Sequence, residues 1–401
     1  MLKKRIITIA LAFIIIITTG VLLAANGRSN KNTQEKITIH NQTEENAINS
    51  FDSKLFSVLC NQSQNVNYSA LSIYSILYAL SKGSDGNTRE EINSVLEYTP
   101  SQANDEFIKN IITTTENISN SVWYNKDITF RKEYKTFLED FEFEQKPVDF
   151  TKGSQVKRKI NSFVSKKTDK LIKNFLSAPL PQNTKLVLLN TLFFEQEWKY
   201  KFEKKMTKEE DFYVDGSTII KHDMMRSCRM IDYYEDDDFQ IAAIPYKDLR
   251  YSMIIVLPKD RDYDFSKMNL IEALTTFKKN KSERLVNLFL PKFEKRSRYD
   301  LIPILKKLEI NDAFDSAKAD LSKIIEGSEK ILLDQALHEA VIKVDEDKTK
   351  AAATTMVMAK AAGDFLSPDD INFRADHPFT YVIYDAQSGI NLFTGIVRSP
   401  D

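Results

Sequence analysis

The sequence predicts an α+β protein in which helices come first and a mixture of strands and helices follows. Residues 47–59 carry apolar side chains at helical spacing, and residues 67–96 have the pattern of a buried helix, a turn with glycine and a second helix. Residues 184–194 and 251–258 are apolar enough to be central strands. Near the end, residues 378–400 form a predicted hairpin with its turn at 386–389.

Length and composition predict one large folded unit. The chain has 401 residues, of which 42% are hydrophobic and 11% aromatic, and no shift in composition divides it. Its 56 basic and 57 acidic residues give a net charge of -1. This balance argues against a nucleic-acid partner.

The N-terminus has the features of an export signal. The basic start MLKKR precedes an apolar run at 6–25, so we expect a signal peptide over 1–27, a disordered linker over 28–45 and a folded domain over 46–401. A helix over 6–25 would be about 30 Å long, enough to span a bilayer. Secretion is therefore the first expectation, and a membrane anchor through 6–25 with the domain outside is the alternative.

The sequence contains no recognisable catalytic or cofactor-binding motif. The chain lacks the GxSxG, GxxxxGK[ST] and GxGxxG motifs, and HEAVI at His338 lacks the second histidine of a zinc-protease helix. The four histidines are scattered along the chain. We therefore expect no catalytic residue, no metal and no cofactor.

The segment KTKAAATTMVMAKAAG, residues 348–363, carries two conflicting signals. Its alanine, methionine and lysine content favours a helix. Its lysines all occupy even positions, while the odd positions from 349 to 361 are small or uncharged, as on a strand with one uncharged face. Such a segment suits a chain that has to exist in two conformations.

Ten motifs in a fixed order carry a family resemblance that covers about 46 to 401. They are NYSALSIYSIL, GNTREEI, INSFVSKKTDKLI, LLNTLFFEQEW, TKEEDFYVDGS, LPKFEKRSRYDL, AFDSAKADLSKI, HEAVIKVDED, ADHPF and LFTGIVRSP. In this order they resemble the serpins, the serine protease inhibitor superfamily. The resemblance implies a serpin fold with three β-sheets, about eight or nine helices and an exposed reactive-centre loop.

The resemblance also implies a function for the alternating segment, as a bait that a protease cuts and that then enters the central sheet as a strand. Small side chains suit that entry, because a charge or a bulky group would be desolvated or would clash there. The implied activity is suicide inhibition by an inhibitory-type serpin. The implied hinge residues are Glu346, Lys348, Thr349, Ala351, Ala352, Ala353, Thr354 and Thr355.

Counting as in the family, from Glu346, places the reactive bond at Ala362–Gly363. The stretch that follows is longer than usual, and a count from its other end falls near Ser367. Ala362 would suit elastase-like or subtilisin-like serine proteases. Lys360 would instead suit trypsin-like proteases, and Phe365 or Leu366 would suit chymotrypsin-like or cathepsin-like proteases.

The resemblance further implies two supporting regions of a monomeric inhibitor. A polar cluster under the sheet comprises Ser69, Ser72, Asn190 and His338, and Trp198 lies near the entry point of the loop. Without the resemblance these would be a core histidine, helix-capping serines and a core tryptophan. Two alternative functions stay open: a non-inhibitory serpin acting as carrier, chaperone or storage protein, and a cross-class inhibitor of cysteine proteases.

Overall fold

The computed structural model describes residues 45–346 and 371–401. Within these residues there are eight α-helices: α1 (45–59), α2 (Ala70–Gly83), α3 (Gly86–Leu96), α4 (Gln102–Thr114), α5 (Lys132–Asp140), α6 (Gly153–Lys167), α7 (Leu270–Asn280) and α8 (Ile302–Lys307). Helix α2 is buried at every residue except Lys82, and its other polar positions are the small serines Ser72, Ser75 and Ser81. The predicted helices at 47–59 and 67–96 correspond to α1, α2 and α3.

The same residues contain fourteen strands. They are β1 (Val66–Tyr68), β2 (Ile118–Asn125), β3 (Glu144–Val148), β4 (Leu186–Phe194), β5 (Lys208–Tyr213), β6 (Ile219–Glu235), β7 (Phe239–Pro245), β8 (Tyr251–Pro258), β9 (Ser282–Pro291), β10 (Phe293–Asp300), β11 (Gln335–Val344), β12 (Ile371–Arg374), β13 (Phe379–Asp385) and β14 (Ile390–Val397). Strands β4 and β8 match the predicted central strands. The C-terminal hairpin is β13–β14, and Gly389 in its turn takes the left-handed φ of 75°.

Hydrogen bonds join these strands into two networks. The larger has nine strands in the order β1-β14-β13-β8-β7-β6-β9-β12, with β5 also paired to β6. Residues 219–224 of β6 pair with β5, residues 224–233 pair with β9, and the last four residues, Asp232 to Glu235, pair with β7. Because β6 pairs with β7 as well as with β5 and β9, it joins two of the three sheets implied by the resemblance into one continuous network.

The smaller network is a five-stranded sheet in the order β10-β11-β4-β2-β3. One face packs on the main core around α2, and α6 covers the other face with Val156, Ile160 and Val164. Burial on both faces explains why β4 reads as the nearly continuous apolar run LVLLNTLFF. The centre of this sheet is the region that the site described below occupies.

Several sequence predictions fall on residues that the structure does not describe. They are the signal peptide over 1–27, nearly all of the linker over 28–45, the hinge residues after Glu346 and the Ala362–Gly363 bond. Over residues 45–346 and 371–401, no helix combines the length and the apolar character needed to cross a membrane.

Candidate functional site

The centre of the five-stranded sheet contains a pair of parallel neighbours, β4 and β11, which we call the seam. Their register runs from Gln335 beside Val187 to Ile342 beside Phe194. Each strand has an antiparallel neighbour on its other side, β2 for β4 and β10 for β11. The seam is therefore the place where one additional strand could lie antiparallel to both of its neighbours.

A row of polar side chains crosses the seam on the face toward the core. His338 on β11 is the Cα partner of Asn190 on β4, which in turn is the partner of Asn120 on β2. His338 Nδ1 lies 3.0 Å from Asn190 Oδ1, and Asn190 Nδ2 donates to Asn120 Oδ1 at 2.8 Å. Since the first of these bonds joins β11 to β4, any separation of the two strands breaks it.

His338 is fully buried and neutral in this arrangement. Its Nε2 accepts a hydrogen bond from the backbone N–H of Ser69 at 3.1 Å, so the ring proton is on Nδ1 and is donated to Asn190. The Tyr299 ring stacks on the imidazole at 6.5 Å between centroids. Burial lowers the pKa of His338 to about 3, because no acidic group compensates for the lost solvation of the imidazolium.

The two serines predicted in this cluster have different positions. Ser69 is the N-cap of α2, and its Oγ accepts from the N–H of Ser72 at 3.2 Å. Through its own N–H, Ser69 contacts His338 directly. Ser72 reaches the cluster through Ser69 and through Ser75, whose Oγ contacts both the Ser72 carbonyl oxygen and Asn120 Oδ1. The buried hydroxyl of Ser72 itself has no hydrogen-bond partner among the residues described.

A second polar pair crosses the seam on the opposite face, under α6. Glu339 and Thr191 are Cα partners, and both are fully buried. Arg296 donates to Glu339 Oε1, whereas Glu339 Oε2 and Thr191 Oγ1 find no partner within the described part of the chain. Burial raises the pKa of Glu339 in spite of the nearby arginine. The seam therefore carries two unsatisfied polar atoms at its midpoint.

Trp198 lies at the end of the seam where the chain leaves β11. Its ring stacks on Tyr246 at 4.4 Å and 9° between planes, and its Nε1 donates to the carbonyl oxygen of Asp345 at 2.9 Å. Only 4% of its surface is exposed. Trp198 thus holds the last residues before the predicted hinge.

Glu346 is the last residue described before the hinge, and two groups anchor it. Thr207 Oγ1 donates to Glu346 Oε1 at 2.7 Å, and Lys292 Nζ lies 3.3 Å from Oε2. Burial opposes ionisation, but the bond from Thr207 and the charge of Lys292 hold the pKa of Glu346 below its usual value. Glu346 is therefore an anionic anchor at the point where the hinge begins.

The structure brings Ser69, Asn190 and His338 into direct contact, with Ser72 beside them. The sequence analysis missed several partners: Asn120, Thr191, Lys292, Tyr299 and Glu339. A local signal exists only for Glu339, because its place next to His338 on a strand assigns it to the opposite face of the sheet.

Comparisons with known proteins agree with this architecture. The family model described as Serpin (serine protease inhibitor) matches residues 46–400. Human serpin B3 is 31% identical over 84% of this chain and 94% of its own length. An uncharacterised serpin-like protein of Thermococcus kodakarensis is also 31% identical, over 88% of this chain and 85% of its own.

Solved structures give the same result. Native protease nexin-1 with heparin is 26% identical with a TM-score of 0.78, over 90% of this chain and 100% of that chain. Uncleaved ovalbumin is 24% identical with a TM-score of 0.79, over 89% and 100%. Fold and seam define an α+β protein with two parallel strands adjacent at the centre of a buried sheet. The chain belongs to the serpin family, whose members are in general protease inhibitors rather than enzymes.

Proposed function

We propose that this protein is an exported inhibitor of serine proteases that traps its target as a covalent acyl-enzyme. The protease serine attacks the carbonyl carbon of Ala362, and the amine of Gly363 departs as a new N-terminus. The serpin supplies no catalytic group. It supplies a peptide bond to be cut and a conformational change that follows the cut.

The observation that carries this proposal is the parallel pairing of β4 and β11. A chain that leaves the end of β11 and reverses direction runs antiparallel to β11, and hence also to β4. Inserted at the seam, it replaces one parallel ladder with two antiparallel ladders, which are slightly more stable per residue. The small residues at odd positions after Thr349 fit the tightly packed core face of such a strand.

Insertion inhibits because the acylated protease is still attached to the inserting strand. As the strand enters the sheet, the attached protease moves with it and the geometry of its active site is distorted. Loss of one oxyanion-hole donor alone slows a protease by roughly 100- to 1,000-fold, so a modest distortion protects the ester from water.

Export and target class complete the proposal. The basic start and the apolar run at 6–25 support a secretory signal over 1–27, or an anchor that leaves the domain outside. Alanine at position 362 supports a target with a small specificity pocket, of the elastase or subtilisin type. The folded part is proposed to begin at about residue 46, since the family match begins there.

The primary test mixes the protein with elastase, subtilisin, trypsin, chymotrypsin and a cathepsin. The expected result is a complex stable in SDS and a released peptide whose mass places its first residue at Gly363. Cleavage without a stable complex contradicts the proposal and assigns the chain to the non-inhibitory serpins. A stable complex with the cathepsin alone assigns the chain to the cross-class inhibitors of cysteine proteases.

A pair of variants tests the direction of insertion. Thr349→Arg places a charge on the face that enters the core, so we expect cleavage without trapping. Ala352→Arg is the matched control, because its even position faces away from that core, and trapping should survive. Equal trapping by both variants would show that the assumed faces are wrong.

A further inference from the structure

Helix α6 carries charge of only one sign. Its fifteen residues include five basic residues and no acidic one. The stretch from Lys152 to Lys173, which contains α6 and the turn after it, holds eight basic residues and one acidic residue, Asp169. Because the whole chain has a net charge of -1, this concentration of cations is local.

Helix stability does not explain this composition. A solvated helix is stabilised by acidic and basic side chains that pair three or four residues apart. Lys166 and Lys167 lie in the last turn, where the helix dipole favours cations, but Arg158 and Lys159 lie in the first half, where it does not. The other described helices without an acidic residue are α2, which is buried, and α8, which has six residues. The charge of α6 is therefore exceptional among the long described helices that face solvent.

The cations of α6 and its following turn point away from the core. Val156, Ile160 and Val164 pack on the five-stranded sheet, so the opposite side of the helix faces solvent. Five cations on this outer side are exposed and form no ion pair with any residue of 45–346 or 371–401: Arg158, Lys159, Lys166, Lys170 and Lys173.

Neighbouring elements widen the basic surface. Lys146 on the edge strand β3 and Lys167 on α6 share one carboxylate, that of Glu144. Before α6 begins, Lys152 shares the carboxylate of Asp149 with a second lysine, which follows β2. Since each acidic group serves two cations, positive charge is in excess beside the helix as well as along it.

This distribution favours a flat anionic partner. A linear polyanion meets cations along one line, whereas these cations extend over a helix, a turn and a strand edge. A bilayer with anionic phospholipids presents negative headgroups over a plane. All six exposed large apolar side chains of the described residues lie outside 126–173, so the contact would involve headgroups and not the acyl chains.

We infer that the outer side of α6, with the turn to Lys173 and the edge strand β3, is a docking surface for a bilayer that contains anionic phospholipids. The attraction is electrostatic and therefore weakens with salt. The surface determines where the protein is held, so the inference is independent of what the loop does to a protease.

The first test measures partition of the full chain onto vesicles of phosphatidylcholine, with and without phosphatidylserine. At low salt we expect stronger partition onto the anionic vesicles, and at about 0.5 M salt this difference should vanish. Each cation near such a surface contributes about fivefold in affinity, so K159Q/K166Q should weaken the anionic partition about 25-fold. K208Q/K279Q is the matched control, because it removes the same charge from exposed lysines of β5 and α7, and its partition should change less than twofold.

A second readout gives the orientation on the vesicle, even if residues 6–25 also bind lipid. Acetylation of each lysine is followed by mass spectrometry on anionic and on neutral vesicles. Anionic vesicles should protect Lys159, Lys166 and Lys170, whereas Lys208 and Lys279 should react equally on both.

Equal protection of the two groups of lysines would overturn the inference, as would equal partition of K159Q/K166Q and its control. If the wild type binds a sulfated polysaccharide or duplex DNA at physiological salt but no anionic vesicle, the surface takes a linear polyanion and the assignment to a bilayer is wrong. If it binds none of these, α6 is only a solvated face. Protease trapping by the same preparations is scored separately, so failure of the proposed function leaves this result unaffected.

Discussion

Protonation of His338 should open the seam, and the size of the effect follows from its burial. In the closed sheet Nε2 faces a donor, the N–H of Ser69, so a second ring proton cannot be accommodated without loss of that hydrogen bond. The pKa of the closed state is about 3, against about 6.5 for a solvated imidazole. The open state therefore binds the proton more tightly, and the closed seam loses stability as pH falls below 6.5.

The magnitude can be worked out for pH 5. At this pH the solvated imidazole is almost fully protonated and the buried one is still neutral. The closed seam therefore loses stability over about 1.5 pH units, between the pKa of the solvated ring and pH 5. This corresponds to about 2 kcal/mol, or a roughly 30-fold larger open fraction than at pH 7.5. Opening the seam exposes the His338 ring to water, which gives the open state the pKa of a solvated imidazole.

The assay is the annealing of a synthetic peptide with the sequence of residues 349–360 into the intact protein. Its rate should rise by about the factor given above between pH 7.5 and pH 5. His338→Gln should anneal with little pH dependence, because Gln does not titrate. His222→Gln changes a histidine beside Asp401, outside the seam, and should behave as wild type. If the ratio of the annealing rate at pH 5 to that at pH 7.5 were the same in His338→Gln and in wild type, the reasoning would be refuted.

Three further predictions concern groups around the site. Thr191→Val removes a buried hydroxyl without a described partner and should slow peptide annealing about fivefold, by stabilising the closed seam by about 1 kcal/mol. Lys292→Met leaves the Glu346 carboxylate without its cation, so annealing at pH 7.5 should accelerate and polymers on native gels should increase. Asp52, a buried acceptor for Tyr68, has its pKa raised by burial to about 6, so its ionisation opposes folding above that pH. The melting temperature of wild type relative to Asp52→Asn should therefore rise as pH falls from 7.5 to 5.

Asp52 also shows why the assay has to report on the seam. Protonation of Asp52 stabilises the folded state as pH falls, whereas protonation of His338 destabilises it. Asp52 binds Tyr68, Asn391 and Thr394, which lie on β1 and β14 and not on β4 or β11. Global unfolding would combine the opposing effects of Asp52 and His338, while peptide annealing leaves Asp52 out. The His338→Gln variant then separates the contribution of His338 from that of Glu339, whose pKa burial raises.

Local patterns in the sequence were enough to predict much of the fold. The apolar run of β4 and the densely apolar sequence of α2 are contiguous signals, and both elements appear where they were expected. The parallel register of β4 and β11 has no such signal, because 140 residues of chain, 195–334, separate the two strands. The register depends on the packing of the whole sheet, and the family resemblance implied only that a strand could enter a central sheet.

Site residues could be predicted where a short stretch of sequence carries the signal, and could not where their role depends on which strands are neighbours. The resemblance gave Asn190 and His338, but their neighbours Asn120 and Tyr299 are ordinary polar and aromatic residues in sequence. They become part of the site because the sheet order places β2 beside β4 and β10 beside β11. The burial of Glu339 depends on α6, which packs across the sheet from a distant part of the chain.

The contacts at the end of the seam and those at its midpoint together suggest an order of events for the proposed insertion. At the end of β11, Trp198 and Lys292 hold the chain before the hinge, so these contacts must give way first. At the midpoint, separation breaks the side-chain hydrogen bond between His338 and Asn190, worth about 1 kcal/mol, together with the backbone hydrogen bonds of the β4–β11 ladder. On the other face it exposes Thr191 and Glu339, whose unsatisfied atoms gain new partners from water or from an added strand. In the proposed mechanism the contacts at the end would therefore control when insertion begins, and the polar midpoint would lower the cost of completing it, which is the order that trapping before hydrolysis requires.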